Sequence, residues 1–434
     1  MSLLEVALSD GGRWSRVGEC YAVTKKPRNL DRAASPAIPF AAMEAIPQDG
    51  TYLPDFTMKA PEAIVSGTYF ERGDLLVGKI TPSFENGKQA LVRELPAPFG
   101  YATTEVIPLH PRSDRHDPRL LFFYLLHPDV RHYVAERMEG STGRKRVPEY
   151  VLLDLPIPVI GPDDQTSIAD ALEVIKRASA AEAKCEHISD DLKRATMHEL
   201  FTRGLRGEAQ KQTKIGLVPE SWEVVPLGSL GRVGNGSTPK RTIPEYWIGG
   251  TYPWLTSAKV YDREIVSADQ FVTERALHEC HLPRVKAGAI LIAITGQGKT
   301  LGHCAVLGMQ ATINQHIAYV ATDTRRASPA FVRGYLETQY DYLRQVGSGG
   351  GSTKGALTCA FLRSMPIPFP PLDEQREIVA ILDVIDRKIA LHKRKRTVLE
   401  DLFKTVLHKL MTGEIRVGDL EFSALGETTL GTVA

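Results

Sequence analysis

The sequence contains no apolar run near the roughly 20 residues a membrane-spanning helix needs. Its first ten residues, Met1 to Asp10, carry Glu5 and Asp10 where a secretory leader would be basic, so a cytoplasmic protein is expected. Cysteine is scarce. Cys20, Cys185, Cys280, Cys304 and Cys359 are odd in number, far apart and form no C-x-x-C, which fits free thiols in a reducing compartment. An excess of one charge is also missing. The 53 Lys and Arg against 52 Asp and Glu give a net charge of +1. That excludes a uniformly basic coat for nucleic acid, though not a local basic site. The signatures G-x-S-x-G and H-E-x-x-H and the Asn/Asp-Pro-Pro-aromatic segment of adenine methyltransferases are absent, so nothing points to catalysis in this chain.

Three segments imitate chemistry. Ala293 to Thr300, with Gly298 and Lys299, fits a relaxed phosphate loop after a predicted strand. Such a loop must open a helix, whereas Leu301 to Gly308 reads as another strand, so a hairpin exposing Gln297 and Lys299 is the better reading. Cys280-His281 and His303-Cys304 are too closely spaced within each pair for a usual zinc motif. Asp163 with Glu182 and Lys184 resembles a nuclease signature but falls on a predicted helix. No metal site is expected.

What the sequence does contain is a duplication. Leu155-Pro156-Ile157-Pro158 recurs as Met365-Pro366-Ile367-Pro368, and the 210-residue offset persists through Gln165 and Gln375, Leu172 and Leu382, and His198 and His408. Each copy opens on prolines that favour extended chain. Asp163-Asp164 or Asp373-Glu374 then puts negative charge at a helix N-terminus, and Gly204 or Gly413 stops the helix. Helices of this length reach about 60 Å, more than one small domain needs, so the two are expected to pair. The second carries a 4-3 seam, 378, 382, 385, 389, 392, 396, 399, 403, 406 and 410, apolar except at His392 and Arg396. On the first, Ile168, Leu172, Ile175, Cys185, Ile188 and Leu192 form a weaker stripe. Expected at the helix pair are Ile168, Leu172, Ile175, Leu192, Ile378, Leu382, Ile385, Leu402 and Val406.

With 434 residues and 43% apolar content, the chain is long enough for several folded parts. The expected divisions are a first globular domain 1–154, a proline segment and helix 155–203, a linker 204–214, a second domain 215–364, a proline segment and helix 365–412, and a loose tail 413–434. The fold class is α+β, two mixed domains in tandem, each followed by a long helix. Gly73 to Thr81 and Gly288 to Thr295 look like equivalent buried strands. Arg119 to Glu139 and Pro329 to Gln345 look like equivalent helices. Each helix leads into a Gly/Ser loop carrying cations, Arg144-Lys145-Arg146 in one half and Lys354 in the other, suited to following phosphates.

The chain resembles the specificity subunits of type I restriction–modification systems over nearly its whole length. The carriers are the doubled L-P-I-P and M-P-I-P segments with their Gln, Val218 to Glu223, Gly236-Ser237-Thr238-Pro239, Pro253-Trp254-Leu255, Ile294-Thr295-Gly296 and Asn314-Gln315. In the first copy Gly161-Pro162-Asp163-Asp164 departs from the family's Pro-Leu-x-Glu-Gln pattern.

The resemblance implies two target-recognition domains, each reading half of a split double-stranded DNA site. It also implies an antiparallel helix pair, a coiled coil, that spaces them and docks two modification (methyltransferase) subunits. S-adenosylmethionine, ATP and Mg would belong to the modification and restriction subunits, with no cofactor in this chain. Arg144, Lys145, Arg146 and Lys354 are then expected on phosphates, and Asn235, Lys240, Arg241, Gln297 and Lys299 near base edges. A nucleotide-binding protein using Lys299, and a scaffold without DNA, are the competing readings.

Overall fold

The structure, a computed structural model, describes residues 2–9, 13–32, 35–48, 50, 52–141, 143–296, 299–348 and 356–420. It comprises two compact units, residues 1–185 with 392–434, and residues 186–391. The long helices Pro162–Arg203 and Leu372–Thr412 each contribute to both units.

In the first unit Leu75–Gly78, buried at every position, is central to an antiparallel inner sheet with Tyr21–Val23, Val106–Pro111 and Gln89–Leu91. The unbroken Leu-Leu-Val run suits a strand covered on both faces. An outer sheet holds Thr57–Lys59, Ile38–Ala41, Gly100–Ala102 and Thr68–Phe70, the middle two parallel. The second unit repeats this plan. Its inner sheet runs Gly231–Asn235, Ile317–Thr322, Ile290–Ala293, Cys304–Leu307 and an added Glu264–Ile265. Its outer sheet runs Gln270–Val272, Tyr252–Leu255 and Thr312–Ile313.

The proline segments are short strands as expected, Pro156–Pro158 against Trp14–Arg16 and Pro366–Phe369 against Glu223–Pro226. The expected single helices are instead pairs, Pro118–Tyr124 with Pro128–Glu136, and Pro329–Thr338 with Tyr340–Ser348. His127 caps the second helix of the first pair through its ring, accepting from Asp129 N, and Pro128 fixes the new start.

The duplicated glutamines are buried anchors. Gln165 accepts from Asp117 N at 2.9 Å and donates to the carbonyls of Ile160 and Arg115 at 2.7 and 3.1 Å. Gln375 accepts from Ser328 N at 2.8 Å and donates to those of Pro370 and Arg326 at 2.9 and 3.4 Å. Each thereby ties the start of a long helix to the first turn of a domain helix.

Within each unit the long helices meet in antiparallel sense. In the first, Lys176 Nζ lies 5.3 Å from the Phe403 ring centre, and Glu182 binds His392 and Lys395. In the second, Lys193 bridges Asp386 at 3.0 Å, and Leu205 N donates to Glu374 at 2.8 Å. Ile168, Leu172, Ile175 and Val406 join one core, Ile378 and Leu382 another, and Ile385 is half-buried.

Leu192 and Leu402 differ from the expectation and face outward, 52% and 37% exposed. Beyond Ala178 the inner face of the first helix runs through Ser179, Glu182, Ser189 and Met197, leaving Ile188 and Leu192 outside. Glu182 can occupy its place because the partner helix supplies counter-charges, His392 and Lys395. His392, an exception in the second seam, is the complement of Glu182.

Two connecting segments also differ from expectation. Gln210–Thr213 pairs with Gly216–Pro219, so the linker is a hairpin arm. At the C-terminal end Ile415, Val417 and Leu420 pack on the first unit's core, so 413–420 is not loose, while 421–434 lies outside the described residues.

Candidate nucleic-acid interface

In the first unit the basic loop is built into the sheet. Glu139 and Arg146 exchange backbone hydrogen bonds at 2.9 and 2.8 Å, and Thr81 N donates to Lys145 O at 3.0 Å. Gly140, at φ 128, makes the reversal that a side chain would strain. Arg144 and Lys145 project exposed from this turn. Arg146 is held differently. Its guanidinium donates to both Glu105 oxygens, at 2.8 and 2.7 Å, and holds that carboxyl below the usual range.

In the second unit Gln297 and Lys354 lie outside the described residues. Lys299 is exposed, and its carbonyl accepts from Tyr340 OH at 2.6 Å. The chain after it enters the strand Cys304–Leu307 rather than a helix, so no dipole faces a phosphate and the nucleotide-loop reading fails. Asn235 is exposed where its strand ends, paired with Ala318. Lys240 is exposed, and its carbonyl accepts from Trp247 Nε1 at 3.2 Å. Arg241 is no free loop cation. It stacks 3.7 Å from the Trp247 ring centre and 5.1 Å from that of Trp254, and donates to Gln270.

Four segments scattered in sequence converge beside Asn235. Ser237 N donates to Ile313 O at 3.1 Å, Trp254 Nε1 to Ser237 O at 3.2 Å, and Asn314 N to Leu255 O at 3.0 Å. A Cβ at Gly236 would stand 1.8 Å from Ile313 O, so only glycine permits this approach. On this frame the side chains form a surface chain. Thr238 donates to Gln315 Oε1, Gln315 Nε2 lies 3.2 Å from His316 Nε2, and His316 Nδ1 bonds Thr295 Oγ1. Thr238, Thr295, Gln315 and His316 were not singled out as site residues in the sequence. The available signal was that three of them lie in segments carrying the family resemblance.

Cys304 is buried, donates to Arg333 O at 3.6 Å and has its thiol pushed up to about 12 by burial. Among the described residues, one group has metal-binding composition: His127, Asp129 and His408. His127 Nδ1 already accepts from Asp129 N at 3.1 Å, which leaves its proton on Nε2, 3.1 Å from His408 Nδ1. This arrangement is a hydrogen-bonded lock between two rings, with no lone pair left on His127 for a metal.

Residues 219–401 match the family described as type I restriction modification DNA specificity domain. The chain is thus similar to the specificity subunits of type I restriction–modification systems. It is 31% identical over 214 residues to the type I restriction enzyme MjaIX specificity subunit of Methanocaldococcus jannaschii, covering 47% of this chain and about half, 48%, of that protein. The MjaVIII specificity subunit of the same organism is 22% identical over 328 residues, covering 74% of this chain and 76% of that one. The type I restriction–modification S subunit crystal structure from M. genitalium shares the fold, with a TM-score of 0.56, 14% identity and coverage of 93% and 97%. A structure from a study of type I system assembly and conformational transition gives a TM-score of 0.59 at 19% identity, covering 93% and 98%.

Proposed function

We propose that this chain is the sequence-reading, non-catalytic subunit of a type I restriction–modification complex in the cytoplasm. Domains 1–154 and 215–364 each read one half of a split double-stranded DNA site. The long helices set their spacing and dock two modification subunits, which supply S-adenosylmethionine and methylate adenine. Restriction subunits supply ATP-driven translocation and cleavage with Mg. Arg144, Lys145 and Lys354 follow phosphates, while Asn235, Lys240, Gln297 and Lys299 stand near base edges.

The observation carrying this reading is one fold used twice, with the same backbone anchors at Gln165 and Gln375 and different exposed polar groups. Two unlike readers on one repeated frame suit two unlike half-sites. Docking is supported by outward apolar side chains on the long helices, Val398 and Leu402 in the first unit and Ile188, Leu192 and Val384 in the second. The test exchanges residues 216–364 for the matching segment of a relative and maps methylation in the host. One half-site should change while the gap stays constant. A change in both halves, or in the gap, would refute the division into readers and spacer.

A further inference from the structure

Both units build one backbone corner and dress it differently. In the first, Lys79 N donates to Glu105 O at 2.9 Å and Val147 N to Lys79 O at 2.8 Å. In the second, Ile294 N donates to His316 O at 2.9 Å and Leu357 N to Ile294 O at 2.7 Å. Thr103 N to Ala41 O, 2.9 Å, matches Asn314 N to Leu255 O, 3.0 Å. The turn closes through Glu105 N on Thr103 Oγ1 at 3.4 Å, and through His316 N on Asn314 Oδ1 at 3.0 Å. The bridge Ile80 to Arg146 corresponds to Thr295 to Ala356. Glu105 and His316 are therefore equivalent positions, as are Thr104 and Gln315, and as are Arg146 and Ala356.

On this constant frame the first unit presents a guanidinium fork steadied by a carboxylate, with side chains 49% and 23% exposed. The second presents an amide and an imidazole, both exposed, steadied by Thr238 and Thr295. The ion pair is not needed for the fold. An exposed pair contributes little to stability, and the second unit closes the same corner without one. The fork of Arg146 is also unlike its neighbours Arg144 and Lys145, which make no ion pair among the described residues. A guanidinium whose plane is fixed before binding suits a base edge, whereas a phosphate needs only charge.

We propose that this corner is the base-reading position of each domain, with Arg146 reading a guanine in one half-site, Glu105 positioning its fork, and Gln315, steadied by His316, reading an adenine in the other. The assignment rests on the DNA-specificity reading above. Arg with guanine and Gln with adenine are the pairings that two parallel hydrogen bonds allow in the major groove.

The test uses the assembled complex of this chain with its modification subunits. Binding is measured on duplexes carrying the mapped site and every single base-pair substitution in it. If the wild-type complex shows no preference among duplexes, the specificity reading itself fails. Given a preference, Arg146→Ala should flatten discrimination at one G·C pair of one half-site by about ten- to hundredfold. Gln315→Ala should do the same at one A·T pair of the other. Arg146→Lys, which keeps the charge and the assembly, should restore overall affinity but not that discrimination. Glu105→Gln should blunt the same G·C pair. Uniform weakening on all duplexes, unchanged discrimination, or loss in one half-site from both variants would overturn the assignment. Should Arg146→Ala not assemble, Arg146→Lys carries the same comparison.

Discussion

The two units agree at their joints and differ at their edges. The glutamine anchors, the proline strands and the corner hydrogen bonds recur almost atom for atom. The added strand Thr68–Phe70 belongs to the first outer sheet and Glu264–Ile265 to the second inner sheet. Duplication has thus held constant what seats a domain on its helix and released what faces outward. The joints are not identical, however. In the second unit Trp222 is fully buried and its Nε1 donates to Glu374 at 3.1 Å. The 210-residue offset places Gly12 at the equivalent position, outside the described residues. Replacing Trp222 by Ala should cost about 3–5 kcal/mol. Hydrogen exchange should locate the loss within residues 186–391, and equal loss throughout residues 1–185 would show that the two units do not unfold separately.

The first unit has its own asymmetric joint in the His127–His408 lock. By the repeat His408 corresponds to His198, which is exposed, and counted from the matched helix starts at Asp117 and Ser328, His127 corresponds to Thr338, which donates to Tyr335 O at 2.6 Å. Burial pushes His127 down to about 4 from an ordinary 6.5, with His408 lowering it further and Asp129 opposing, and Glu414 stands 4.0 Å from His408. A lowered histidine contributes stability that is full above 6.5 and is lost as pH falls toward 4, because the unfolded chain takes up the proton first. The expected loss is about 3 kcal/mol across that window. His127→Asn keeps a capping acceptor and should remove this part of the pH dependence. A denaturation series from pH 7 to pH 4 in which wild type and variant fall in parallel would refute the lock.

The duplication, the proline strands, the seam of the second helix and the buried central strands were legible because each is a pattern of apolar or stiff residues along the chain. The inner face of the first helix was not. Apolar spacing leads from Ala178 toward Ile188 and Leu192, whereas the helix turns Glu182 and Lys193 inward to partners over 190 positions away, His392 and Asp386. Pairing of that kind leaves no periodic trace in one sequence. The interface was half legible for the same reason. Cation-rich loops stand out, but the fork of Arg146 and the chain through Gln315 and His316 exist only once distant strands meet.

The outward leucines separate folding from assembly. Leu402→Asp should cost the fold less than about 1 kcal/mol, since 37% of the residue is exposed, whereas Val406→Asp at 5% buries an unpaired charge and should cost several. If the long helices dock modification subunits, Leu402→Asp should still abolish co-purification with them at an unchanged unfolding midpoint. Loss of the fold together with the complex would place Leu402 inside the helix pair after all.

The smallest expected effect separates two neighbours in one loop. Lys145 is exposed, and its backbone carbonyl, not its side chain, holds the turn to Thr81. Lys145→Ala therefore leaves the corner in place and removes one mobile cation. If that cation neutralises a phosphate, binding should weaken about equally on every duplex, and the slope of log affinity against log salt should fall by about one unit. Arg146 already shares its charge with Glu105, so Arg146→Ala should change the slope less while changing base discrimination more. Measuring both variants across a salt series asks whether adjacent cations divide the work of positioning and reading. A Lys145→Ala complex with altered base preference and an unchanged slope would reverse the two assignments.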